Sequence, residues 1–211
     1  MIRICPTKKF GIFGLVTVET SNMSYRNNNS SNSNTLCLQR CAIQILECPN
    51  LREKVRLTEK YVHEWTTGLI SEVFDELSID RPIPREPVRE VNKEVEAMGI
   101  TSVMKSRGLN KNSIEISLHG IAHAESWALE LFWDVIARFH HENMPTEFFD
   151  DMVRIAGQEA AHFNSWALRL EELNCPYGSL PTHNGLWRAA EATTGTYLSL
   201  LAVSSDIYIL I

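Results

Sequence analysis

Several features that identify common functional classes are absent from this sequence. Its 20 basic residues are outnumbered by 26 acidic ones, and the net charge of −6 lacks the basic excess typical of proteins that bind nucleic acid through phosphates. No Ser/His/Asp triad, phosphate-binding loop or dinucleotide fingerprint stands out. These absences disfavour a hydrolase or a nucleotide-binding protein, and no nucleic-acid partner is expected.

The cysteines and the apolar runs indicate the cellular location of the protein. Five cysteines form no C-x-x-C pair, and their odd number argues against a disulfide framework, so reduced thiols in an intracellular compartment are expected. The apolar patch at 10–18 is too short for a signal peptide or a membrane span. We therefore expect a cytoplasmic protein without a membrane partner. A mitochondrial location is the alternative, because three basic residues precede the first acidic one: Arg3, Lys8 and Lys9 before Glu19.

Composition divides the chain into three parts. Residues 21–35 are rich in Asn and Ser and nearly free of apolar side chains, so residues 1–35 are expected to be a disordered N-terminal segment. Residues 36–203 form the predicted helical domain, and residues 204–211 form a short tail of different, β-like composition. With 211 residues and 44% apolar content, one substantial core is favoured.

Apolar residues at helical spacing dominate the middle part and predict an all-α fold. The proline-rich stretch at 81–87 excludes a helix and favours an extended crossing. Asn112 or Ser113 can cap one of the long helices, and Asn184 can cap the last one. The predicted helices are 36–47, 51–77, 112–141, 145–173 and 185–202.

Three polar residues interrupt the apolar faces of the two longest helices. Glu125 falls in the middle of one apolar stripe, and Glu159 interrupts the other, with His162 one turn further on. A buried carboxylate without a partner is costly, so the pattern calls for a cation. Glu on one helix and Glu-x-x-His on a facing helix make up half of the ligand set of a di-iron or di-manganese carboxylate site of the ferritin-like kind.

The positions of these residues along the two helices match. The connecting turn is short, so the helices are expected to be antiparallel neighbours. Glu125 lies 18 residues before Asn143 and Glu159 lies 16 residues after it, which brings the two carboxylates to about the same level. Carboxylate-rich ligation without thiolates suits iron or manganese better than structural zinc. We therefore predict Glu125, Glu159 and His162 as metal ligands, with iron or manganese as the cofactor.

A metal-free interpretation remains open at this stage. His162 can be a core histidine bonded to Glu125 or Glu159, in a polar cluster that fixes the register of the helices. His119 and His123 flank the inner stripe, and we assign them to an outer shell of the site or to the surface. Glu130 points away from Glu125, so we expect it to bond to a neighbouring loop or helix.

Three motifs carry a family resemblance: HGIAHAESWALELFWDVIARF, MPTEFFDDMVRIAGQEAAHFNSWALRLEEL and YGSLPTHNGLW. Over about residues 36–203 the chain resembles domain-of-unknown-function family 455. The resemblance implies a ferritin-like helical bundle related to the di-iron carboxylate proteins and, more distantly, to a tRNA-modifying hydroxylase. The matching ligand positions are Glu125, Glu159 and His162. The residues between the last two are Ala160 and Ala161, where the family often carries a basic residue just before the His.

The larger departure from the family lies at the end of the chain. Family members continue past Val203 into two more core helices that carry another Glu and a second Glu-x-x-His. This sequence has no such motif after Val203, so the bundle is expected to be incomplete and the ligand set to be half of the full one.

Two functional expectations follow from this reading. In the first, the protein is a metal-dependent oxidoreductase whose metal activates oxygen, and two chains form a homodimer that restores the full ligand count. In the second, the chain is metal-free and non-catalytic: it is an interaction protein that exposes the face which the missing helices would cover, or it has no independent activity. RNA modification, a third class, predicts a basic surface that the composition does not show.

Overall fold

The computed structural model describes residues 36–75, 82–90, 113–139 and 144–192. Within these ranges the regular structure is entirely helical, with no strand, which confirms the all-α prediction. None of these helices combines the length and apolar character needed to cross a bilayer. The N-terminal segment 1–35 and the tail 204–211 lie outside the described residues. The helices are α1 (Leu38–Glu47), α2 (Leu51–Thr66), α3 (Ser113–Phe139), α4 (Thr146–Glu172) and α5 (Gly185–Glu191).

The two longest helices, α3 and α4, form an antiparallel pair at the centre of the domain. Each has 27 residues, which corresponds to about 40 Å of helix. His123, in the first half of α3, bonds to Tyr177, which follows the end of α4, so the start of one helix lies beside the end of the other. Leu129 on α3 and Phe163 on α4 belong to the core that the pair shares.

Helix α2 ends earlier than its apolar pattern predicts. It stops at Thr66, and residues 67–75 are not helical, so the prediction of a helix over 51–77 was wrong for those residues; 76 and 77 lie outside the described residues. The hydroxyls of Thr66 and Thr67 donate to carbonyls of the last turn, and Gly68 adopts a left-handed φ of 75°. Glycine is favoured at this position because a side chain would be strained there.

The chain leaves α2 to cap the start of α1. The backbone N–H groups of Leu38 and Gln39 donate to the carbonyls of Glu72 and Val73, at 2.9 and 2.8 Å. The first N–H groups of a helix have no partner within the helix, so these two bonds replace a side-chain cap, which α1 lacks. α1 itself is buried on most of its surface.

Segment 82–90 is the extended crossing that the prolines predict. Its backbone bonds to the end of α1 through Val88 N to Leu46 O, at 2.7 Å. It also places Arg89 against α3, where the guanidinium lies 3.5 Å from the centre of the Trp127 ring. The segment thereby joins α1 to α3.

Glu130 on α3 is fully buried between two cations. Lys54 Nζ of α2 lies 2.6 Å from Glu130 Oε1, and Arg89 donates to Oε2 at 2.7 and 2.9 Å. Burial lowers the pKa of Lys54, and the Glu130 carboxylate opposes that shift. The expectation that Glu130 bonds to a neighbouring loop or helix is confirmed, since it bonds to both.

Helices α2 and α4 approach closely beside the predicted ligands. Trp65 Nε1 donates to Asp150 Oδ1 at 2.7 Å. Further along α4, a Cβ added to Gly157 would lie 3.1 Å from Cγ2 of Val62, so the missing side chain permits the contact. This contact positions the turn of α4 that carries Glu159.

The last described helix, α5, begins at Gly185 after Asn184, as predicted. The side chain of Asn184 makes no capping bond. Asn184 occupies the N-cap position, as predicted, but the ring of His183 accepts from Gly185 N at 3.1 Å in place of its side chain. The described helix ends at Glu191; the rest of the predicted range, and the side chains of Asn112 and Ser113, lie outside the described residues.

We expect Lys54→Met to lower the free energy of unfolding by about 3 kcal/mol, because it leaves the buried Glu130 with one cation instead of two. The control is Lys60→Met on the same helix, whose partly exposed ion pair with Glu64 should contribute less than about 1 kcal/mol. Urea unfolding followed by circular dichroism measures both. Equal effects of the two substitutions would contradict the role given to Lys54.

Candidate metal centre

The structure brings Glu125, Glu159 and His162 together. One ligand atom from each lies within 4.8 Å of the others. His162 Nδ1 is 3.3 Å from Glu159 Oε2 and 3.8 Å from Glu125 Oε1. Glu159 and His162 share one side of α4 because they are three residues apart, and Glu125 meets them from α3. Glu125 and Glu159 therefore lie at the same height along the helix pair, as the residue count predicted.

The three side chains differ in burial. Glu159 is fully buried and Glu125 is nearly so, whereas the His162 side chain is 50% exposed. The carboxylates thus form the inner wall of the cluster and the imidazole forms its rim. A small ion can approach from the side of His162 without disturbing the core.

The two carboxylates of the cluster repel each other. Burial, together with the nearby Glu159, raises the pKa of Glu125 to about 8. Glu130, one turn away on the same helix, meets two cationic side chains instead. The charge of Glu130 is therefore offset by cations on one side of α3, whereas on the side that faces α4 a proton is held at Glu125 up to about pH 8.

The donor set fits a divalent first-row metal. Two carboxylates and one imidazole supply oxygen and nitrogen without thiolate, a combination that iron and manganese accept. A bound dication would relieve the repulsion that raises the pKa of Glu125. The same contacts also fit a metal-free polar cluster, because His162 already bonds to Glu159.

Comparison with known proteins places the chain in a family. The profile described as "Protein of unknown function (DUF455)" matches residues 47–207, which is most of the chain. This chain belongs to the DUF455 family. The description assigns no activity to its members.

One curated relative is an uncharacterized protein of Haemophilus influenzae. It is 28% identical over 156 residues, which cover 70% of this DUF455 chain and 52% of the relative. The chain thus spans about half the length of that protein. No solved structure matches.

A second group of polar residues lies on another side of α3. His119 and His123 are both buried, so the assignment to the surface was wrong for them. Burial lowers the pKa of His119 to about 4 and that of His123 to about 3, which keeps both rings neutral. His119 Nε2 accepts from Gly178 N at 3.0 Å, and His123 Nδ1 lies 2.8 Å from the hydroxyl of Tyr177.

Sequence reasoning missed this group because its partners lie far along the chain. His123 contacts residues more than fifty positions away, in the loop after α4. One signal was present: two histidines one turn apart on α3, and the run YGSLPTH with a tyrosine and a further histidine. Neither segment indicates by itself that the two meet.

In the metal-free protein we expect the free energy of unfolding to fall as pH rises from about 4.5 to about 8. The folded state holds the Glu125 proton more tightly than the unfolded chain does, so its contribution is complete below the ordinary pKa of 4.5 and is lost as pH passes 8. Glu125→Gln cannot lose a proton there, and at pH 8.5 it should be more stable than the parent by on the order of 2 kcal/mol.

Urea unfolding between pH 4 and 9 tests this expectation. Glu172→Gln, at an exposed position of α4, is the matched control and should follow the parent. Parallel curves for the parent and Glu125→Gln would show that folding leaves the pKa of Glu125 unchanged, contrary to this expectation.

Proposed function

We propose that Glu125, Glu159 and His162 bind iron or manganese as one half of a dinuclear carboxylate site, in a domain of ferritin-like architecture. The convergence of three donor atoms within 4.8 Å supports this most strongly. The two carboxylates come from neighbouring antiparallel helices, the arrangement that bundle metal sites use. Membership in DUF455 is compatible with this function but does not test it.

The proposed activity is that of a metal-dependent oxidoreductase. A bound metal of this kind activates dioxygen for the oxidation of a substrate. Glu159, held inside the core, and Glu125 opposite it would bind through oxygen. His162 would bind through a ring nitrogen, and its exposure keeps that side open to solvent and substrate. The buried core around Glu159 keeps water away from the opposite side.

Three ligands are half of a dinuclear set, so we further propose that a second copy of the chain supplies the rest. The exposed side of the cluster, at His162, supports a symmetric pairing. Ile114 lies three turns before Glu125 on the same side of α3 and is 63% exposed. Two copies that pair these faces would bring two clusters together and assemble each ligand twice.

Metal titration tests the site directly. We expect anaerobic Mn²⁺ titration, followed by the electron paramagnetic resonance (EPR) signal of free Mn²⁺, to give one ion per chain. Glu159→Gln and His162→Ala should each weaken binding at least about tenfold, since even outer partners of metal ligands contribute that much. Glu172→Gln and His63→Ala, which change exposed residues outside the cluster, are the matched controls and should bind as the parent does. Failure of the parent to bind Mn²⁺ or Fe²⁺ would exclude the proposed site.

Light scattering after size-exclusion chromatography tests the dimer. We expect the metal-loaded protein to elute as a dimer and Ile114→Lys to be monomeric, because a charge at the paired faces would be buried without a partner. A monomer that retains two metals per chain would show that one chain suffices.

The metal-free interaction protein is the second candidate. The observation in its favour is the 3.3 Å bond between His162 and Glu159, which already gives that carboxylate a partner. In that case His162→Ala lowers stability equally with and without Mn²⁺. A stabilising effect of Mn²⁺ on the parent that is absent from His162→Ala would favour the metal site instead.

A further inference from the structure

The loop after α4 places a tyrosine and a histidine in direct contact inside the domain. The Tyr177 hydroxyl lies 2.8 Å from His123 Nδ1 and 3.4 Å from Ser126 Oγ. The Tyr177 ring stacks on His119 at 4.9 Å between centroids and meets the edge of Phe163 at 5.0 Å. The ring of Tyr177 thus packs between two other rings, and its hydroxyl contacts His123, Ser126 and Arg89.

The surrounding bonds set the direction of the hydrogen bond. Ser126 donates its hydroxyl to the backbone carbonyl of His123 at 2.7 Å, so that hydrogen is not available to Tyr177. His123 Nε2 lies 2.7 Å from the carbonyl of His183, which can only accept, and therefore carries the ring hydrogen. His123 Nδ1 is then a lone pair, and Tyr177 donates to it.

Trp127 competes for the same nitrogen. Its indole N–H lies 3.0 Å from His123 Nε2. His123 Nε2 can accept the indole N–H only if it carries no hydrogen itself. The lone pair of Nε2 would then face the lone pairs of the His183 carbonyl oxygen at 2.7 Å, which is unfavourable. With the hydrogen on Nε2, the indole N–H of Trp127 loses this acceptor, which costs about 1–3 kcal/mol. When a proton arrives at Nδ1, His123 bonds to Tyr177 and to His183 through two N–H groups, so the ring needs no rotation to hold it.

We propose that Tyr177 and His123 form a proton-coupled redox pair. Tyr177 gives one electron to a one-electron oxidant of the trivalent-metal class, and its O–H bond breaks as the proton moves to His123 Nδ1, where an N–H bond forms. The products are a neutral tyrosyl radical, an imidazolium and the reduced oxidant, so charge and atoms balance. Reduction returns the proton along the same bond.

Burial and the nearby cation disfavour an imidazolium at His123, and the bond to the His183 carbonyl favours it. Arg89 is the nearest cation: its guanidinium donates to the Tyr177 hydroxyl oxygen and contacts Ser126 at 3.3 Å, and Lys54 lies beyond it. Glu130 bonds to both and offsets part of their charge. The His119 ring, which accepts from Gly178 N, is neutral, and the carbonyl of His183 accepts from His123 Nε2. The pair therefore calls for a strong oxidant rather than a mild one.

The physiological oxidant would come from the neighbouring cluster, and this part rests on the proposed function. Phe163, which packs against Tyr177, directly follows His162 on α4. The pair itself does not depend on the metal. An experiment on metal-free protein therefore separates the two: failure of metal binding leaves the pair untouched, and failure of the pair leaves the metal site untouched.

The test uses metal-free protein and photogenerated tris(bipyridine)ruthenium(III), with persulfate as the final electron acceptor. Freeze-quenched samples are examined by EPR for a neutral tyrosyl radical. We expect the signal in the parent and its loss in Tyr177→Phe. Tyr61→Phe is the matched control, because Tyr61 bonds to the amide oxygen of Gln44, which cannot hold a proton. A signal that survives Tyr177→Phe overturns the proposal.

A second measurement tests the role of His123 without altering the fold. If the proton moves along the existing bond, the rate of radical formation in the parent shows a solvent deuterium isotope effect and does not depend on buffer concentration. A rate that rises with buffer base would show that the proton leaves to solvent, which overturns the pair. His123→Gln keeps a hydrogen-bond acceptor but no base, so radical formation should be slower. A rate equal to the parent's in the folded variant would also overturn the pair.

Discussion

Glu130 is the point at which three separate segments of the domain are tied together. Its two oxygens are shared between Lys54 of α2 and Arg89 of the 82–90 segment. A buried carboxylate is stable only when paired, so the two segments must be in place before this part of α3 can be buried. Segment 82–90 in turn bonds to the end of α1. Helices from distant parts of the chain are therefore coupled through one side chain.

The two buried carboxylates of α3, Glu130 and Glu125, are neutralised in different ways. Both carboxylates lie on one helix and both are buried, yet Glu130 meets cations while Glu125 meets Glu159. A stable core tolerates such a meeting only if a proton, a histidine or a bound cation offsets the charge. At Glu130 the domain neutralises a buried carboxylate with lysine and arginine. In the described contacts of Glu125 and Glu159, neither residue type takes part.

Much of the fold could be predicted from sequence because apolar spacing encodes helices, and the level of Glu125 and Glu159 followed from counting residues about a short turn. The end of α2 could not, because the apolar pattern continues past Gly68 while the backbone leaves the helix there. The burial of His123 also escaped prediction, since it depends on Tyr177, a partner that only the folded chain brings near. Local sequence patterns thus predict the helices, whereas the burial and the hydrogen bonds of polar side chains depend on partners that are distant in the sequence.

The capping of α1 has a consequence for how the chain is made. α1 has 10 residues, fewer than an isolated helix needs to persist in water. Its first two N–H groups bond to the carbonyls of Glu72 and Val73, which a ribosome adds more than thirty residues later. During synthesis the segment of α1 must therefore wait, exposed and unformed, until α2 has emerged and turned back. Its apolar residues are the part of this domain most in need of protection before that moment.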